Sequence, residues 1–105
     1  MVDEEVIYMI KTVYELSVRY DARASFYGKA RVQEMANGDL ILVSYSTEVA
    51  MIKGNKAYIN GTYSQTTTRH QKEFLKQNGF KAETSKQMVK DYMVNHDQWK
   101  ALRGC

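Results

Sequence analysis

Two turn signals in the middle of the chain constrain its fold more than any other feature. Asn37-Gly38 and Gly54-Asn55 punctuate three runs of extended-type sequence, KARVQEM, DLILVSYSTEVAMIK and KAYINGTYS. A tight hairpin needs backbone at positive φ, which glycine adopts without a Cβ clash and asparagine tolerates. The three runs therefore predict a three-stranded antiparallel meander. The central run, residues 39–53, is long for a strand, and its apolar Leu40, Ile41, Leu42 and Val43 give way to Ser44, Ser46 and Thr47 before Val49. A bulge or bend is expected near residues 44–47.

Helices are expected on both sides of the meander. Behind the acidic Asp3, Glu4 and Glu5, the apolar Val6, Ile7, Met9, Ile10, Val13 and Leu16 recur near helical spacing. This reads as a helix from residue 3 to about Lys11 or beyond. The stretch TVYELSVRY also alternates, with Tyr14, Leu16, Val18 and Tyr20 set against Glu15, Ser17 and Arg19, so a strand is the competing reading there. After the meander a helix is predicted at about residues 67–78, with Phe74 and Leu75 as its inward stripe, helped by His70 and Gln71. Gly79 occupies the place of a left-handed cap, and Phe80 the place that packs back on the last turn, against Leu75. A second helix opens at TSKQ, where Thr84 and Gln87 form a capping-box pattern. Met88, Val89, Tyr92, Met93, His96 and Trp99 share its face and are expected to cover one side of the sheet. The expected fold is α+β, the three-stranded antiparallel meander packed with C-terminal helices and an N-terminal helix. Residues 1–105 contain no proline, no low-complexity run and no repeat, so one domain is expected.

A domain of 105 residues leaves little room for a deep internal site, so shallow surfaces are the expected working parts. The lone cysteine is Cys105, which rules out an internal disulfide and suits a reducing cytoplasm. Lys11 and Glu15 interrupt the N-terminal apolar residues well before the ~20 needed to span a bilayer, and acidic residues stand where an export signal would be basic. Neither membrane nor export is expected. The net charge of +3 is unevenly spread: residues 1–64 carry seven Lys/Arg against eight Asp/Glu, residues 65–105 eight against four. The positive excess of the C-terminal part favours an anionic partner, nucleic acid or an acidic protein face, unless it is only a solvated surface.

Two stretches concentrate chemistry. In TTTRH, Thr67, Thr68 and Arg69 sit where a helix begins, and hydroxyls, a guanidinium fork and free N–H groups would make an anion cradle. Equally, one threonine caps the helix, the others finish the strand, and Arg69 lies on the surface. Arg69, Lys72 and Lys76 are spaced to share one side of that helix, a stripe that suits a phosphate backbone or an acidic partner. In YDARASFYGKARV, Tyr20, Arg23, Tyr27 and Lys29 combine rings with positive charge, which suits single-stranded nucleic acid and also protein interfaces. The alternative is a loop whose aromatics plug the core while Asp21 and Arg23 form a local ion pair. Tyr8, Tyr45, Tyr58, Tyr63 and Tyr92 are expected to pack around the core. His70 and His96 have no cysteine or carboxylate at metal-ligand spacing, and Gly28-Lys29 lacks a glycine-rich phosphate loop. No catalytic residue, metal or cofactor is expected, and the chain reads as a binding protein rather than an enzyme.

The run Tyr63-Ser64-Gln65-Thr66-Thr67-Thr68-Arg69-His70, with Glu73-Phe74-Leu75, Gln77 and Gly79-Phe80, resembles a motif of a family of small proteins encoded by phages and mobile elements of gut bacteria. YDARASFYGKA and SYSTEVA resemble that family's other two blocks, so the likeness covers roughly residues 20–80. The family carries no assigned catalytic residues to transfer, and the likeness speaks to ancestry rather than activity. In size and setting the chain is similar to the type II anti-CRISPRs, which disable an RNA-guided Cas nuclease. The resemblance implies an inhibitor of a host-defence nucleoprotein, a type II Cas nuclease with its guide RNA, acting in the bacterial cytoplasm through the helix stripe and residues 20–29. A DNA mimic is acidic and this chain is basic, so contact with guide RNA, bound DNA or an acidic protein surface is expected instead of imitation. The competing expectation is a sequence-tolerant nucleic-acid-binding accessory protein of a phage or mobile element. A self-associating assembly factor is the third.

Overall fold

The computed structural model describes residues 9–104, and they form an α+β fold. Five strands, β1 (Ile10–Glu15), β2 (Ala30–Met35), β3 (Leu40–Ser44), β4 (Thr47–Lys53) and β5 (Lys56–Ile59), lie in sequence order in one antiparallel sheet. Both predicted turns are present. Gly38 and Gly54 take positive φ, 94° and 64°, and the Asn37 side chain accepts from the Asp39 N–H at 3.0 Å.

The sheet has five strands where three were expected, for two reasons. The central run does not merely bend at residues 44–47 but reverses there. Ser44 pairs with Thr47 across a two-residue turn that holds Tyr45 at φ 58°, and a register shift follows between Leu42 and Val43. The second reason lies at the N-terminus. Residues 3–8 of the expected helix fall outside the described residues, and from Ile10 the chain is a strand instead. Thr12, Val13 and Tyr14 are β-branched or aromatic, and β1 gives the open edge of β2 a hydrogen-bonding partner.

Register rows sort the core. Val32, Leu42, Ala50 and Ile59 align on one face, Gln33, Ile41, Met51 and Tyr58 on the other. The first face is covered by α1 (Gln65–Gln77) and α2 (Ser85–Tyr92), through Phe74, Leu75 and Met88, with Ala82 from the segment between them. The second is covered by α3 (His96–Arg103), whose Trp99 and Leu102 pack on Met35, Ile41 and Met51. The single long helix expected after Thr84 is therefore two helices on opposite faces. The break falls where the Val94 N–H donates to the Ile59 carbonyl at 3.0 Å, and Asn95 then opens α3 in a capping box with Gln98. Arg103 pins α3 to the sheet through both oxygens of Glu48, at 2.8 and 3.1 Å.

Helix α1 begins earlier than expected, because Ser64 is its cap. The Ser64 hydroxyl accepts from the Thr67 N–H at 3.3 Å. Its C-terminus follows the expected pattern: Gly79 stands at φ 85°, its N–H donates to Lys76, and the Phe80 N–H donates to Leu75 at 2.9 Å. No helix of the described residues is long and apolar enough to cross a membrane.

Candidate functional site

The inner stripe of α1 is Thr67, His70, Gln71, Glu73, Phe74 and Leu75, all buried. With those positions taken by the sheet, Arg69, Lys72 and Lys76 fall on the flank that faces the loop at residues 17–29. Glu73 fastens that loop. Its Oε1 accepts from the main-chain N–H groups of Tyr20 and Asp21 at 2.8 and 2.9 Å, while Oε2 accepts from Gln77 Nε2 at 2.7 Å. Gln77 Nε2 also donates to the Ser17 carbonyl. A carboxylate 1% exposed is thus satisfied by backbone dipoles and a neutral amide rather than by a cation.

The result is a cleft of about 250 Å³ lined by Tyr20, Asp21, Ala22, Arg69, Lys72, Glu73 and Lys76. Arg69 reaches Asp21 at 3.6 Å, a long pair on a partly exposed side chain, which contributes little to stability. Lys72 and Lys76 form no ion pair among the described residues. On the other side of Arg69 and Lys72 lies a second shallow cleft, lined also by Tyr63, Gln65, Thr68 and Ser85.

The TTTRH cluster divides between core and surface. Thr67 points inward: its hydroxyl and the Ser44 hydroxyl are 2.9 Å apart, and Ser44 Oγ lies 2.8 Å from His70 Nδ1. Phe26 packs edge-on to the imidazole with ring centroids 4.6 Å apart. Burial holds the His70 pKa below its ordinary value, the Arg23 charge adds to this, and Asp21 opposes it. Of the three anion-site candidates, Thr68 and Arg69 line the second cleft, and Thr67 belongs to the buried network.

Of the partner-binding candidates, Tyr20, Arg69, Lys72 and Lys76 converge on the first cleft. Arg23 stands near enough to His70 to act on its charge, and its N–H donates to Asp21 Oδ1, so the local Asp21–Arg23 ion pair is replaced by Asp21–Arg69. Tyr27 and Lys29 lie apart, in the turn leading into β2. There Lys29 N–H donates to the Phe26 carbonyl across Tyr27 at φ 54° and Gly28 at φ 75°. Among the expected packing tyrosines, Tyr58 and Tyr92 are partly buried, Tyr45 and Tyr63 are exposed, and Tyr8 lies outside the described residues. Among the described residues no three His, Cys, Asp or Glu side chains come together as a metal site requires.

Sequence reasoning missed Glu73 and Ser44. The signal for Glu73 was present: an acid three residues after His70 and beside Phe74 falls on the inward stripe, and a charge there needs partners. Ser44 carried no such signal, because its neighbour Thr67 is brought to it only by the sheet.

Fold and site together define a small α+β protein whose charged cleft is made by one helix face and a loop clamped to it. The chain belongs to a family of unknown function, DUF8033, whose model matches residues 14–90. The match takes in the whole cleft and is wider than the resemblance noted at residues 20–80. No curated protein and no solved structure matches the chain.

Proposed function

We propose that the chain is a non-catalytic binding protein that grips an anionic partner at the α1 flank. The partner is a host-defence nucleoprotein, a type II Cas nuclease with its guide RNA, which makes the chain an anti-CRISPR-type inhibitor of a phage or mobile element. One observation carries the binding reading. Lys72 and Lys76 form no ion pair among the described residues, because the carboxylates that share their cleft are engaged elsewhere, Asp21 with Arg69 and Glu73 with the backbone of an exposed Tyr20. Unpaired cations steer an anionic partner in, and a ring already held in place loses little entropy on contact. The choice of partner rests on the resemblance of residues 20–80 to mobile-element proteins.

The test is interference in cells. Expression of the chain should restore phage plaquing in a host armed with a type II Cas nuclease and change nothing in a host lacking it. Purified chain should hold the guide-loaded nuclease and block target cleavage. Unimpaired interference at high expression would contradict the proposal.

The second reading, a sequence-tolerant nucleic-acid-binding accessory protein, is favoured by a separate feature. Positive charge continues beyond α1, where Lys81 of the connecting segment and Lys86 and Lys90 of α2 line another shallow pocket that also holds Asp91, a broad surface of the kind that follows a polyanion. Steep salt-dependent binding of free RNA or DNA, with no effect on defence, would select it.

A further inference from the structure

Arg69 and Lys72 belong to two clefts at once. On one side they share a wall with Tyr20 and Lys76, on the other with Tyr63 and Thr68. Each cleft therefore carries one exposed tyrosine, Tyr20 at 59% and Tyr63 at 39%. Neither ring hangs from a loose chain. The Tyr20 backbone N–H is held by Glu73, while the Tyr63 hydroxyl donates to Asn60 Oδ1 at 2.8 Å and its ring lies against Gly61.

Two pre-placed rings flanking a ridge of two cations match the chemistry of an unpaired nucleic-acid strand. Bases present π-faces that stack on tyrosine whatever their identity, and the phosphates between them meet the cations. A duplex offers the phosphates but keeps its base faces stacked inside, which would leave both rings unused. An acidic protein face would match the cations, yet these polar, shallow clefts give an anchoring side chain no pocket to fill. Arg69 gives up little to reach a phosphate, because its contact with Asp21 is 3.6 Å long.

We propose that the Arg69–Lys72 ridge is a single-stranded nucleic-acid site, with bases stacking on Tyr20 and on Tyr63 and the backbone crossing between them. The proposal rests on the reading that this flank binds an anionic partner, and it names the part of that partner that is touched.

The test is fluorescence anisotropy with a labelled oligouridylate of about 12 nucleotides and an RNA duplex of the same length. The single strand should bind about tenfold more tightly than the duplex at equal salt, and Tyr20→Ala should weaken it about tenfold while Tyr20→Phe does not. Lys72→Ala should lower the slope of log affinity against log salt by about one. Tyr63→Ala should also weaken binding, but it removes the Asn60 contact as well, so the Tyr20 pair decides if that variant fails to fold. Equal affinity for strand and duplex, or a silent Tyr20→Ala, overturns the inference. If neither oligonucleotide binds while the guide-loaded nuclease does, and Lys72→Glu with Lys76→Glu abolishes that binding, the strand site falls and the broader reading stands. If nothing is bound, both fall.

Discussion

Glu73 is a buried charge whose work is done on backbone. Its two oxygens face donors on both sides, Tyr20 and Asp21 N–H on one and the Gln77 amide on the other. An amide in its place accepts on one side only and turns an NH2 toward a donor on the other. Glu73→Gln should therefore lower stability by about 1–2 kcal/mol in urea unfolding and speed amide exchange at Tyr20 and Asp21. Unchanged exchange there would mean that the loop is not held by this side chain. His70 supplies a second prediction. Burial, with Arg23, puts its folded pKa below the unfolded value, so the fold stabilises the neutral imidazole. That contribution is complete above about pH 6.5 and is lost as pH falls below it toward the folded pKa. The melting temperature should drop between about pH 7.5 and about pH 5.5, and His70→Asn should remove much of that drop. An equal drop in the variant would assign the pH dependence to other groups.

At the scale of elements, cap geometry makes the sharpest predictions. Gly79 stands at φ 85°, so Gly79→Ala should cost about 1 kcal/mol by chemical denaturation. Tyr27 stands at φ 54° and is 78% exposed, so Tyr27→Gly should instead stabilise by about 1 kcal/mol. Loss of stability in that variant would show that the Tyr27 ring does packing work. These positions also explain which parts of the fold were legible in the sequence. The turns built from asparagine and glycine could be read, as could the end of α1 at Gly79 and the start of α2 at Thr84. The reversal at Tyr45 could not, because a tyrosine in the left-handed region is a conformation imposed by the paired strands, and no residue pattern announces it. The break before α3 was hidden for a similar reason. Met93 continues the helical stripe that runs on to His96 and Trp99, and the long-range pairing of Met93 and Val94 with Ile59 takes the chain out of it. Strand β1 lies where the helical spacing of residues 6–16 was read, and the competing alternation began only at Tyr14, near its end, so spacing pointed away from a strand there.

At the scale of the whole molecule, the net charge of +3 says less than its placement. Glu48, Glu73 and Asp39 are engaged with Arg103, the 17–21 loop and Lys53, whereas Lys72 and Lys76 form no ion pair among the described residues. The stripe Arg69, Lys72 and Lys76 could be read from helical spacing alone. The opposing wall at Tyr20 could not, since it depends on Glu73 folding the loop back across more than fifty residues of chain. That flank is the working surface we propose, and one comparison tests it directly: equilibrium binding of the guide-loaded type II Cas nuclease by the wild-type chain and by the Lys72→Glu, Lys76→Glu double variant. Both lysines are partly exposed, so melting temperatures should agree closely, while affinity should fall by about a hundredfold and the difference should shrink as salt is raised. A folded double variant that binds as tightly as the wild type would contradict the account.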